Sequence, residues 1–166
     1  MPAAAPFARN LPRMGRFEWL MGLYGENFTR LTRMFQPQAL AQGSYLSRVP
    51  DGLDLRVEVL AQHAYTVELR LSYLMIDART GQPDPSAYVR LYRDARQAEA
   101  THCYVGRHWQ DVLGLRPSVQ ALVGHRLRMN GFLNKWLDYL EGQGHGPHPL
   151  SDMDPSPAEK KNAACA

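Results

Sequence analysis

From Tyr88 to Tyr104 the chain reads Tyr-Val-Arg-Leu-Tyr-Arg-Asp-Ala-Arg-Gln-Ala-Glu-Ala-Thr-His-Cys-Tyr, an apolar alternation running into a dense set of charges. Side chains on an extended chain point alternately to opposite sides, so Val89 and Leu91 share one face while Tyr88, Arg90, Tyr92 and Asp94 share the other. A reversal at Asp94-Ala95 sets Arg90 opposite Glu99, Leu91 opposite Ala98 and Val89 opposite Ala100, so that charge meets charge and small apolar meets large. A longer reversal, Asp94 to Gln97, keeps the same faces but sets Tyr92 opposite Glu99. The competing helical reading takes Asp94 as N-cap and Gln97 as its capping-box partner, with good helix formers between and after. Thr101, His102, Cys103, Tyr104 and Val105 favour strand, and the hairpin is preferred.

The same period recurs upstream. Leu53, Leu55, Val57 and Val59 alternate with Asp54, Arg56 and Glu58; after a turn near Gln62-His63-Ala64, the residues Tyr65, Val67, Leu69, Leu71 and Tyr73 alternate with Thr66, Glu68, Arg70 and Ser72. Electrostatics narrow the register. Setting Glu58 opposite Glu68 also sets Arg56 opposite Arg70, so a shift by two residues is expected, with either Arg56 facing Glu68 or Glu58 facing Arg70. A shorter strand near Tyr45 to Val49, closed by the turn Pro50-Asp51-Gly52, starts the meander. Ala78 to Ser86, with Gly81, Pro83 and Pro85, reads as a loop.

Two helical stripes flank the strands. Phe17, Leu20, Met21, Tyr24, Phe28, Leu31, Met34 and Phe35 recur at spacings of three and four from Arg16 to Phe35, and Pro37 ends that helix. Val119 to Glu141 carries Leu122, Val123, Leu127, Phe132, Leu133, Trp136, Leu137 and Leu140 and stops at Gly142 and Gly144. His108 to Pro117 is ambiguous between a short apolar turn and a helix. The fold class that follows is α+β: an antiparallel meander of about five strands packed by an N-terminal and a C-terminal amphipathic helix. Met1 to Gly15 reads as a disordered leader, residues 16–144 as one domain, and the Pro-rich segment from His145 to Ala166 as a disordered tail.

Composition bounds the partners. The formal net charge of +3 comes with sixteen arginines but no basic run, so nucleic-acid binding is not expected. Cys103 and Cys165 are few and unpatterned, which points to reduced thiols in a cytoplasmic protein. Leu69 to Ile76 is broken by Arg70 and Ser72 and falls well short of the roughly eighteen apolar residues of a membrane span. The first residues hold Pro2, Pro6, Pro12 and Gly15 and no hydrophobic signal core.

Three segments together resemble a known family: Trp19-Leu20-Met21-Gly22-Leu23-Tyr24 with Asn27-Phe28 and Leu31; Val89-Arg90-Leu91-Tyr92-Arg93-Asp94-Ala95 with Ala98-Glu99; and Asn130-Gly131-Phe132-Leu133 with Trp136 to Leu140 and Gly144. They resemble the YqiB-like proteins of proteobacteria, small soluble cytoplasmic proteins classed as a domain of unknown function. The resemblance spans roughly Phe17 to Gly144, departs in Gly106 to Gly124 and in the tails, and includes Arg126 as the basic residue four before Asn130. It implies no catalytic residue or cofactor, and it marks Arg90, Tyr92, Asp94, Glu99 and Asn130 as candidate binding positions.

Two functional classes follow. In the first, the chain is a binding or adaptor module without catalysis that engages a protein or a small anionic ligand through the polar sheet face or the helix flank. In the second, Arg90, Asp94 and Glu99 serve an enzyme acting on a phosphorylated or nucleotide-like metabolite, one carboxylate as general base and the arginine as anion binder. A cross-strand ion pair with a turn-capping Asp explains the same residues without chemistry, and is favoured. His102 and Cys103 point to opposite sides of a strand and no CxxC or HExxH spacing occurs, so no metal site is expected. Cys103 with His125 as base has no local signature. No glycine-rich strand-loop-helix unit for a nucleotide is present, and no cofactor is expected; Asn130, on the last helix, is also read as a side chain that bonds backbone at the sheet's edge.

Overall fold

The computed structural model describes residues 15–76, 78–79, 81, 85–104, 116–146 and 148–153. Helix α1 (Arg16–Phe35) is followed by a single 3-10 turn at Pro37–Ala39, then strands β1 (Gly43–Ser47), β2 (Leu55–Gln62), β3 (Thr66–Tyr73), β4 (Ser86–Tyr92) and β5 (Gln97–Tyr104), helix α2 (Val119–Gly142) and a short strand β6 (Ser151–Asp152). All pairings are antiparallel and the sheet order is β5-β4-β3-β2-β1-β6. The α+β class is as expected, with a sixth strand added.

Both registers read from charge are the observed ones. Glu58 faces Arg70 and Arg56 faces Ser72 across β2 and β3, and Arg90 faces Glu99 and Leu91 faces Ala98 across β4 and β5. The β4–β5 turn occupies Arg93 to Arg96, so the last pair is Tyr92 with Gln97 and not Tyr92 with Glu99. Two bulges interrupt the ladders, at Leu60 between the Val59 and Ala61 pairs and at Thr101 between the Ala100 and His102 pairs.

The inner face carries Leu55, Val57, Val59, Val67, Leu69, Leu71, Ala87, Val89, Leu91, Ala98 and Ala100, packed with Phe28, Leu31, Met34, Phe35, Leu133, Trp136, Leu137 and Leu140. Each large aliphatic side chain buried there contributes about 1.5–3 kcal/mol, and that docking offsets the low helix propensity of Gly22 and Gly25 in α1. The helices lie closest to β5, where Ala98 and Ala100 offer only methyl groups and let backbones approach. The two helices run in the same direction: Asn27 meets Asn130 and Asn134, and further along Arg30 meets Asp138 and Glu141.

Several assignments change. Phe17 is 63% exposed, in a helix start where residues 15–19 are all exposed and burial begins at Leu20. Leu53 and Tyr65 leave the apolar face, since β2 starts at Leu55 and β3 at Thr66, and both side chains face solvent in the connections. Strand β1 starts two residues before Tyr45 and ends at Ser47.

The largest correction is at the C-terminal end, where the packed region continues past Gly144 to Met153. His145 is 2% exposed, and its Nδ1 lies 2.8 Å from the Ser47 hydroxyl. Gly146, at φ +105, passes so close to α1 that an added Cβ would sit 2.9 Å from the Met34 Cα. Ser151 and Asp152 then pair with Leu46 and Tyr45 on the free edge of β1. Composition suggested disorder because it counts apolar side chains, whereas this segment is held by one buried histidine, one tight glycine and backbone hydrogen bonds. The expected leader through Met14, most of the ambiguous segment His108 to Pro117, and the tail beyond Met153 lie outside the described residues. Among the described residues no helix is long and apolar enough to cross a membrane.

Candidate binding face of the sheet

Residues that pair across strands share a face, so the registers lay out the outer surface directly. One row runs Leu46, Arg56, Ser72, Ser86; the next Ser44, Glu58, Arg70, Tyr88, His102; the next Glu68, Arg90, Glu99; the last Thr66, Tyr92, Gln97. Glu58, Arg56, Glu68, Arg70, Arg90, Tyr92 and Glu99 all stand on this face, opposite the helices. Charges alternate in sign along and across strands, as cross-strand pairing favours.

Three of the five candidate residues join one polar network. Arg90 donates to Glu68 at 3.0 Å. The Tyr92 hydroxyl donates to Glu99 Oε1 at 2.7 Å. Arg126, from α2, reaches round the β5 edge and donates to Glu99 Oε2 at 3.1 Å. Burial raises the Tyr92 phenol above the ordinary tyrosine range, and the bond to Glu99 adds to the rise against the pull of Arg90. Tyr92 is therefore a neutral donor at pH 7. Arg90 is pushed up by Tyr92 and then by Glu68, while Arg126 is pushed up first by the Tyr24 hydroxyl of α1. Tyr24, buried in the α1 stripe, is itself raised by burial. Hydrogen bonds thus join Glu68 to Arg90, and Tyr92 through Glu99 to Arg126 on α2, while Arg90 couples electrostatically to Tyr92 and Arg126 to Tyr24 of α1.

The remaining two candidates stand apart from that chain. Asp94 is exposed in the turn, its carboxylate accepting from the Ala95 N–H at 2.9 Å, which is the turn-capping role weighed above. Asn130 is fully buried. Its Oδ1 accepts from the Ala100 N–H at 2.7 Å and its Nδ2 donates to the Arg126 carbonyl at 2.9 Å. It satisfies a backbone donor on the outer edge of β5, a side of that strand with no neighbouring strand among the described residues. The Cys103 side chain lies outside the described set, and His125 is held below the ordinary histidine range by burial, then by Arg128 and Arg126.

Tyr24 and Arg126 are the members that sequence reading did not place in the site. Arg126 is one helical turn before Asn130, so the two share a helix face, but nothing local shows that the face meets β5. Tyr24 fits an apolar stripe as well as Phe does, and its hydroxyl is the only sign of a second role.

Against known proteins, residues 30–146 match the model of a family described as "Protein of unknown function (DUF1249)". No match is found among curated proteins or among solved structures.

Proposed function

Because the chain belongs to the DUF1249 family, whose description assigns no activity, its role has to be read from geometry, and we propose a non-catalytic binding or adaptor module. The outer face of the sheet is its working surface, and an anion-bearing partner or ligand is what it holds. The observation that carries this reading is the state of the carboxylates. Both oxygens of Glu99 already accept hydrogen bonds, from Tyr92 and Arg126; Glu68 is taken by Arg90; Asp94 caps its own turn. A general base needs a lone pair aimed at a substrate proton, whereas groups locked to one another in this way make a pre-organised surface whose guanidinium and phenol edges face outward. The separation of Asp94 from the network supports the enzyme alternative less well.

The finer placement, among YqiB-like bacterial cytoplasmic proteins, rests on the motif resemblance at Val89 to Glu99 and Asn130 to Leu140 and on the unpatterned cysteines. Recovery of the protein in the cytosolic fraction of its own cells is the expected result, and recovery with membranes would contradict it.

The functional reading is tested by affinity capture with the full chain across growth conditions, beside a turnover screen on phosphorylated and nucleotide-like metabolites. Capture of a partner by the wild type, weakened by Glu99→Gln, with no turnover, is expected. Turnover abolished by Glu99→Gln would establish the enzyme instead.

A further inference from the structure

One and two rows away from Arg90, four side-chain polar atoms are buried without a hydrogen-bond partner among the described residues: Glu58 Oε2 and Arg70 Nε in the nearer row, Arg56 Nε and Ser72 Oγ in the farther. They are neighbours by construction, because Arg56 faces Ser72 and Glu58 faces Arg70 in adjacent rows of β2 and β3. More than about nine in ten buried polar groups in folded proteins are partnered, so four orphans side by side on one face need an explanation. Ser72 is 1% exposed although it stands on the outer face, so its hydroxyl is covered and not solvated. Arg70 and Glu58 approach to 3.7 Å, an electrostatic contact too long for a hydrogen bond. Their side chains are only 18% and 16% exposed, and the Arg70 guanidinium is steadied over the Tyr88 ring at 5.3 Å.

We propose that Arg56, Glu58, Arg70 and Ser72 form a subsite for a small oxyanion, a carboxylate or phosphate bearing a hydroxyl or ammonium donor on a neighbouring atom. The donor count sets that chemistry. Two guanidinium Nε–H groups and the Ser72 hydroxyl can donate, which suits an acceptor-rich anion. Glu58 Oε2 can only accept while ionised, so the ligand must also give a proton in a hydrogen bond. Two guanidinium charges against one carboxylate leave a single positive charge to be met. The four atoms are confined to two neighbouring rows of β2 and β3, an extent that fits a small molecule and not a broad macromolecular contact. This subsite rests on the outer face being the working surface and names the chemistry it takes.

The test is calorimetric titration of the full chain with sodium glycolate, inorganic phosphate and, as ionic control, sodium chloride at matched ionic strength. Saturable binding of glycolate or phosphate is expected, with the arms separating an organic acid from a phosphate source. Arg56→Gln and Ser72→Ala should weaken it by about tenfold or more, about 1.4 kcal/mol, while Lys135→Gln, at an exposed position of α2, leaves it intact. Ser72→Ala removes one atom and keeps the test usable if the arginine variant fails to fold. Binding no different from chloride, or equal in the wild type and Ser72→Ala, overturns the subsite. If it falls while partner capture still depends on Arg90 and Tyr92, the adaptor reading survives without it; if oxyanion binding stands and capture ignores the outer face, the reverse holds.

Discussion

Asn130 stands where three elements meet. It ties α2 to β5 through the Ala100 N–H and is tied to α1 through its own carbonyl, which accepts from Asn27. Asn130→Ala strands a buried backbone donor, so a loss of about 2–3 kcal/mol in urea unfolding is expected; a loss below about 0.5 kcal/mol would show that Ala100 finds another partner. His145 offers a second residue-scale check. Burial holds its imidazole below the ordinary range, against the opposing pulls of the Leu53 carbonyl and Asp54. The unfolded chain therefore takes up the proton first, and stability is full above about pH 6.5 and falls as pH drops below it. A wild-type unfolding series from about pH 7 to 5 should show that decline, and His145→Gln should flatten it. Asn130's role was legible in outline, as a helix asparagine placed to bond backbone at the sheet's edge, though not its partner Ala100, 30 residues away; His145's was not, because Ser47 lies 98 residues back along the chain. Arg90 facing Glu99 and Glu58 facing Arg70 were legible, because a sheet register is discrete and one choice of it stacks like charges.

At the scale of elements, periodicity located both helices and the central strands, since a buried face imposes its repeat on the residues that line it. It failed where an element has no such face. Strand β6 is two exposed residues long and owes its place to the open edge of β1. Removing the chain from Leu150 onward should uncover that edge, and increased self-association by light scattering is the expected result; a monomer as stable as the full chain would contradict it. Gly146→Ala should cost at least about 1–2 kcal/mol from the left-handed backbone alone, with more from the close approach to Met34. The site followed the same rule. Its strand members were readable as an alternating polar set, whereas Arg126 and Tyr24 enter from two helices whose packing on β5 depends on the small side chains of Ala98 and Ala100.

For the molecule as a whole, the two faces of the sheet do different work. The inner face spends its apolar side chains on α1 and α2, and the outer face keeps a row-by-row pattern of charges that the core does not require. A purely structural outer face would tolerate neutral replacements at little cost, as exposed ion pairs contribute at most about 1 kcal/mol. The comparison that separates a working surface from a solvated one is quantitative affinity capture with two paired variants of the full chain. Arg90→Ala with Tyr92→Phe alters the outer face; Arg128→Ala with Lys135→Ala alters exposed positions of α2. Capture reduced by about tenfold or more in the outer-face pair and unchanged in the helix pair is the predicted result. Capture lost with the helix pair and retained by the outer-face pair would contradict the assignment of the working surface to the sheet.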